Sequence, residues 1–287
     1  MIPGSFEYHR PQTVDEAIAL LSQHGDESRV IAGGHSLIPM MKVRLAVPSH
    51  LIDLQGIQSL RGISADGGSV RIGAMTTQHE VIQSELLQET VPILHETAVL
   101  IADPQVRYCG TIGGNVANGD PGNDMPALMQ CLGASFQVQG PNGARSIAAR
   151  DYYEAAYFTA LDEDEVLTGI TIPAPPAGHG YAYEKLKRKV GDYATAAAAV
   201  VLTMSGGACQ TASIALTNVG DTPLYAEAAA NALVGSSVDE AAIAQAAALA
   251  KEITEPASDL RGPADYRSHV AGVMTARAIR RAVERAS

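Results

Sequence analysis

An α+β fold is predicted for this chain by three observations. A strand, a glycine turn, a helix and a second strand follow one another near the start. Strands joined by glycine turns dominate the middle, and three alanine-rich helical segments close the sequence. With 287 residues, 46% of them hydrophobic, the chain can bury a sizeable core, and its length suits two ordinary domains or one domain with appendages.

The elements are justified in order. Thr13-Val-Asp-Glu16 has the spacing of a capping box, and the following AIALLSQHG carries apolar residues at helical spacing before a glycine stop. Arg29-Val-Ile-Ala32 reads as a short buried strand that runs into Gly33-Gly34-His35-Ser36. Leu37 to Leu45 has the spacing of a short helix, and His50 to Leu54 that of a strand. This order implies a parallel pair with a crossover. From about residue 58 the texture changes: Gly62-Ile-Ser, Asp66-Gly-Gly68 and Val70 to Gly73 predict a hairpin. Thr77-Gln-His-Glu80 is another capping box, and Val91 to Ile101 is periodic as a helix. Ala134 to Val138, a Pro-Asn-Gly turn at 141–143 and Val166 to Ile172 predict a mostly antiparallel sheet. After a break at Pro173 to Gly178 come strands at 181–186, 196–203 and 212–217, then helices at 223–234, 238–253 and 264–285. Alanine at such density predicts closely packed helices.

The two glycine loops carry the chemistry. A strand that ends in Gly33-Gly34 and opens a helix exposes backbone N–H groups with no side chains in the way. With the positive end of the helix dipole, such donors suit a phosphate or pyrophosphate; a plain tight turn is the structural alternative. Ser36 is placed to cap the helix or to donate to a phosphate oxygen. Thr111-Ile112-Gly113-Gly114-Asn115 reads as a second loop of this kind, and two together favour a dinucleotide. The stretch Asn118 to Asp124 is almost entirely turn-formers, so neither helix nor strand can span it. It leads directly into apolar Met125-Pro-Ala-Leu-Met, which predicts an ordered loop with Asp124 capping a helix.

Other chemistries are excluded by pattern. Asp53 follows Gly33 by about the twenty residues of a Rossmann fingerprint, but G-G-H-S-L-I is not G-x-G-x-x-G. His95-Glu96 is only a partial zincin match, with Val99 where the second histidine belongs, and both read as ordinary helix-face residues. No metal site and no catalytic acid, base or nucleophile is expected. A net charge of −11 argues against nucleic-acid binding, and the basic run Lys185 to Lys189 reads as a solvated strand face or a local anion contact. Cys109, Cys131 and Cys209 are too few to hold an iron–sulfur cluster and are expected as free thiols in a reducing compartment. The N-terminus lacks the apolar core of a signal peptide, and the longest apolar run falls short of the ~20 residues of a spanning helix. A cytoplasmic protein is expected.

AGGHSL at 32–37, TIGGN at 111–115, the Asn-Gly-Asp-Pro loop, EVLTGITIP at 165–173 and YEKLKRKVGDYATAAAAV at 183–200 together resemble the FAD-binding subunits of molybdenum hydroxylases. Within that family, AGGHSLIP and NGDPGNDMPALMQ look most like the medium, flavoprotein subunits of aerobic carbon monoxide dehydrogenases. The resemblance spans essentially the whole chain. It implies a vanillyl-alcohol-oxidase-type (PCMH-type) FAD-binding fold over 1–176, with subdomains of about 1–56 and 57–176. A C-terminal domain of antiparallel sheet plus three helices would fill 177–287.

It also implies roles for the matching residues. Val30, Ile31, Ala32, Gly33, Gly34, His35, Ser36 and Leu37, with Thr111, Ile112, Gly113, Gly114 and Asn115, would line the FAD pyrophosphate and its surroundings. Ile101 would lie near the flavin ring, Asp124 would contact FAD, Leu167 would border the adenine end, Lys185 would place a cation near the flavin, and Tyr193 would cover one ring face. The bland alternatives are core packing for Ile101 and Leu167, capping for Asp124 and a surface charge for Lys185.

The implied activity is electron relay by an oxidoreductase subunit. Electrons would come from the [2Fe–2S] clusters of a small partner subunit, after substrate oxidation on a large molybdopterin subunit. They would leave for an external acceptor, a quinone or cytochrome. A dimer of heterotrimers, peripheral at the inner face of the membrane, is the implied assembly. The same resemblance also admits a molybdenum hydroxylase acting on xanthine, an aldehyde or an aromatic substrate. Two rival classes stay open from the residues alone: a scaffold that keeps the fold but binds nothing, and a self-contained flavin oxidase.

Overall fold

The computed structural model describes residues 2–287. β1 (Glu7–His9), α1 (Val14–His24), β2 (Ser28–Ile31), α2 (Leu37–Lys42) and β3 (His50–Asp53) form the first layer. The expected parallel pair is present, with Val30 opposite Ile52, and β1 adds an edge strand in the order β1-β3-β2. Ala17, Ile18 and Leu21 of α1 lock onto it with Ile52, Leu54 and Ile57. The first capping box closes only in part. Thr13 accepts from the Glu16 amide at 3.2 Å, but the Glu16 carboxylate accepts from the Gln12 amide, one residue before the cap.

β4 (Ile63–Asp66) and β5 (Ser69–Gly73) make the expected hairpin, and six short helices follow. These are α3 (Gln78–Gln83), α4 (Glu85–Thr90), α5 (Pro92–Ala98), α6 (Pro104–Cys109), α7 (Ile112–Ala117) and α8 (Asp124–Cys131). Thr77 and Glu80 close a complete capping box on α3. β6 (Ser135–Gly140), β7 (Gly143–Ala148), the small pair β8 (Tyr153–Ala155) and β9 (Phe158–Thr159), and β10 (Val166–Pro173) come next. The main sheet is antiparallel throughout, in the order β4-β5-β10-β6-β7.

β11 (Gly180–Leu186), β12 (Ala196–Ser205), β13 (Ala208–Thr217) and β14 (Leu224–Tyr225) build a second antiparallel sheet. It is backed by α9 (Glu227–Leu233), α10 (Glu240–Glu252) and α11 (Ala264–Arg285). Small residues set the spacing: a Cβ on Gly180 would collide with the Ala282 carbonyl, so α11 lies directly on β11. The opposite face of this sheet receives α8, all eight residues of which are buried. Cys131 and Ser213 exchange hydrogen bonds across that contact, Sγ to the Ser213 carbonyl and the Ser213 hydroxyl to the Cys131 carbonyl. A helix buried all round needs apolar contact on every face, and Met125, Leu128 and Met129 supply it, each worth about 1.5–3 kcal/mol.

Glu96 is not the ordinary helix-face residue its surroundings in sequence suggest. Its carboxylate accepts from the Tyr183 amide at 2.7 Å and pairs with Arg281 at 2.8 Å and Arg285 at 2.7 Å, clasping α5 to β11 and α11. His95 does remain a packing residue, with Nδ1 at 3.1 Å from the Ile82 carbonyl. No helix among the described residues is long and apolar enough to cross a membrane.

Candidate functional site

The turn after β2 sets the first wall of a long cleft. Gly34 has φ +76°, a conformation costly for residues with a Cβ, and a Cβ on Gly33 would strike the Cys109 carbonyl. Among the described residues, no protein acceptor faces the amides of Gly33, Gly34, His35 and Ser36. The Ser36 side chain makes no cap hydrogen bond, so its hydroxyl is left to the cleft. Four unsatisfied donors at a helix start form an anion cradle.

The second glycine segment works differently from the loop expected. It is the first turn of α7, capped by Thr111, and its amides are already engaged. Ile112 donates to the Thr76 carbonyl, Gly113 to the Ala74 carbonyl and Gly114 to the Thr111 hydroxyl. Its glycines permit close approach instead: a Cβ on Gly113 would lie 2.5 Å from the Ala74 oxygen, and one on Gly114 2.8 Å from Thr111 Oγ1. Ile112 turns into the core and is fully buried, so it is the one expected site residue that does not border the cleft.

The turn-rich stretch 118–124 is ordered by named bonds. Asn123 Nδ2 donates to the Asn115 carbonyl, the Met125 amide donates to Asn115 Oδ1, and the Asn218 amide donates to the Pro121 carbonyl. Asn123 occupies the cap position of α8, so Asp124 is not the cap expected of it. Its carboxylate is spent elsewhere. Oδ2 receives Lys185 Nζ at 2.7 Å and Oδ1 the Tyr183 hydroxyl at 2.7 Å. The two charged side chains are 6% and 2% exposed, which rules out a surface role for Lys185. Burial, and then the neighbouring Asp124 charge, holds the Tyr183 phenol well above its usual pKa. The basic run is therefore not a solvated face at its start. Lys187 Nζ reaches the Leu100 carbonyl, and its pKa is depressed by burial and by the adjacent Lys185.

The far end of the cleft is bordered by Ile101, Ala102, Gly191 and Tyr193. Arg107 donates to the Ile101 carbonyl at 2.8 Å and so fixes that corner. Tyr193 is 41% exposed and packs its ring edge on Gly122, where a Cβ would sit 2.8 Å away. Burial and the nearby Asp120 carboxylate raise its phenol pKa. Ile101 and Leu167 belong to the main core and also border the cleft.

The cleft encloses about 640 Å³, within the range of cofactor pockets. Of the sequence-predicted residues it brings together Val30 to Leu37, Ile101, Thr111, Gly113, Gly114, Asn115, Asp124, Leu167, Lys185 and Tyr193. It adds residues the sequence did not single out. Gln78 is 1% exposed and its side-chain nitrogen and oxygen have no partner, and the Asn118 side-chain nitrogen is equally unpaired. Both border the cleft. Unpaired buried amides are rare and costly, so a hydrogen-bonding ligand fits where they point. Gln78 was hidden inside a capping box, and only its polarity at a buried helix position could have marked it. Asp53 is turned away: it accepts from the Tyr8 hydroxyl and caps the Gln55 amide, and it does not border the cleft, which removes the Rossmann reading.

An anion cradle, a long, mostly apolar trough and a tyrosine at its far end define a protein that holds an extended dinucleotide cofactor. Residues 4–175 match the sequence model of the FAD binding domain in molybdopterin dehydrogenase, and residues 181–282 match the CO dehydrogenase flavoprotein C-terminal domain. The chain belongs to this family of FAD-binding subunits and has its PCMH-type fold. It is 65% identical over 286 residues to the carbon monoxide dehydrogenase medium chain of Afipia carboxidovorans, covering 100% of this chain and 99% of that one. A solved Cu,Mo-CO dehydrogenase, in its cyanide-inactivated form, contains a chain that superimposes with a TM-score of 0.99 at 65% identity, covering 100% of both. A quinoline 2-oxidoreductase chain from Pseudomonas putida 86 matches with a TM-score of 0.94 at 38% identity, covering 99% of both.

Proposed function

We propose that this chain serves as the flavoprotein subunit of a molybdenum-containing carbon monoxide dehydrogenase. The observation that carries the reading is the set of unsatisfied donors, the Gly33 to Ser36 amides and the Gln78 side chain, in a cleft whose chain matches a carbon monoxide dehydrogenase chain end to end. The fall in identity from 65% to 38% for a quinoline-oxidising enzyme favours carbon monoxide chemistry over an aromatic substrate. Bound FAD supplies the redox chemistry, taking electrons from a protein partner and giving them to an external acceptor.

The chain's own residues bind and orient. The Gly33 to Ser36 amides and the Ser36 hydroxyl would hold the diphosphate, Leu167 would border the adenine end, and Tyr193 would cover the ring. The Asp124–Lys185 pair fixes α8 against β11 beneath it. No side chain of the cleft is required to move a proton from a substrate, because substrate oxidation belongs to a large molybdopterin subunit in this reading. A small [2Fe–2S] subunit delivers the electrons, two heterotrimers pair, and a quinone or cytochrome takes them up at the inner face of the membrane. In the same reading the FAD-binding part ends near residue 176 and the rest is the C-terminal domain.

Purification with co-expressed neighbours tests this. Flavin, iron and molybdenum are expected in one particle of heterotrimer mass or its double. A flavin-loaded monomer that oxidises a small substrate unaided would overturn the relay and promote the self-contained oxidase.

A further inference from the structure

Three imidazoles outside the cleft converge on the first sheet. His9 ends β1, His50 opens β3 and His24 ends α1. The parallel register sets Glu7 opposite His50, so Glu7, His9 and His50 face the same side of the sheet. On α1, Ala17, Leu21 and His24 recur at helical spacing, so the stripe that packs on the sheet ends in an imidazole. The cluster lies at the His50 end of β3, whereas the glycine turn leaves β2 beside Asp53 at the other end.

The rings are close. Those of His24 and His50 stack with centroids 3.6 Å apart, and the His9 ring is 5.4 and 5.3 Å from them. His9 Nε2 lies 3.1 Å from His50 Nδ1, and one ring nitrogen from each histidine falls within 4.8 Å of the others. Glu7 Oε2 is 3.7 Å from His50 Nδ1, and the Glu27 carboxylate also faces His24. The rings lie too close together for three imidazolium charges, which would repel one another. Neutral rings keep their lone pairs, and two carboxylates add negative potential around them.

We propose that His9, His24 and His50 bind a divalent transition-metal ion, Zn²⁺ foremost, which ties the edge strand β1 to β3 and α1. Imidazole nitrogens suit Zn²⁺, Cu²⁺ and Ni²⁺. Zn–N bonds of about 2.0–2.1 Å set tetrahedral nitrogens roughly 3.3 Å apart, close to the 3.1 Å of the His9–His50 pair, while His24 must turn its ring out of the stack on His50 to aim a nitrogen at the ion. Glu7 or water takes the fourth position.

The test uses the full chain without an affinity tag, stripped by chelator and titrated with Zn²⁺ alone by calorimetry. One Zn²⁺ per chain is expected, with a higher unfolding temperature and unchanged flavin content. Affinity should fall in acid, where protons compete with the ion for the ring nitrogens. Loss of an outer-shell partner already costs ~10–100-fold, so His50→Gln or His9→Gln should weaken binding at least as much. Should those variants misfold, the parent's Co²⁺ complex decides, since three imidazoles give the visible bands of a tetrahedral nitrogen site. Absence of saturable one-to-one binding, unaltered affinity in the folded variants, or an octahedral Co²⁺ spectrum would overturn the site.

Discussion

Lys185 Nζ and Asp124 Oδ2 meet 2.7 Å apart beneath the cleft, on side chains that water scarcely reaches. One residue opens α8 and the other lies on β11, so this ion pair joins the two halves that share the site, as the Glu96 pairs with Arg281 and Arg285 do elsewhere. Removing either partner strands a buried charge. Lys185→Met should therefore cost about 3–5 kcal/mol in denaturant unfolding, and the paired change Asp124→Leu with Lys185→Met should recover much of it. An unfolding midpoint for Lys185→Met equal to the parent's would show that the pair is solvated.

Gly114→Val places a branched side chain against Thr111 Oγ1 and the Ala32 Cβ, at the mouth of the phosphate cradle. The expected product is a folded protein without flavin, read from the absorbance ratio of flavin to protein. Gly34→Val adds a strained backbone at φ +76° and should lose flavin and stability together. Stoichiometric FAD in a folded Gly114→Val protein would displace the site.

Gln78→Leu is predicted to act with opposite signs on two states. Without FAD it removes an unsatisfied buried amide and should stabilise the apoprotein or leave it unchanged. With FAD it removes a hydrogen-bond partner and should weaken binding by about 1–3 kcal/mol. Thermal unfolding of the apoprotein and flavin titration measure the two terms separately.

Tyr193→Ala should keep FAD bound yet change the flavin spectrum and the rate of reoxidation by acceptors. Because burial and Asp120 raise the pKa of its phenol, Tyr193 stays neutral through the physiological range and contributes no pH dependence there. A spectrum and rate matching the parent's would remove Tyr193 from the ring.

The three thiols should react very differently. Cys109 is exposed, whereas burial pushes the Cys131 thiol up to about 12. A thiol-specific reagent should modify Cys109 rapidly in the native protein and the others only after unfolding. The unfolded chain loses the Cys131 proton near pH 8.5 and the folded chain holds it. The Cys131 contribution to stability is thus complete below that pH and is lost as pH rises toward about 12, which alkaline unfolding curves will show.

The sequence carried the larger pattern because periodicity and glycine turns are local signals. β2, α2, β3 and most strands and helices beyond residue 180 fall close to where their residues put them, but β14 (Leu224–Tyr225) occupies the start of the span read as a helix from 223. Helices α4, α6 and α7 were not legible, since six residues hold too little of a 3.6-residue period. β1 was missed for a similar reason, being three residues long. At the cleft, both glycine pairs lie on its wall, but they act differently. Those at 33–34 leave amides free, while those at 113–114 only permit close packing. Which amide is already paired depends on Ala74 and Thr76, nearly forty residues away, and no local pattern encodes that.

The cleft's walls come from residues as far apart in the chain as Gly33 and Tyr193. Contacts of such long sequence separation are made late in folding, after local helices and hairpins have formed. During synthesis the phosphate cradle therefore emerges well before its far wall exists. The cleft is complete only once α8 rests against the C-terminal sheet, so flavin is expected to load after that sheet has docked.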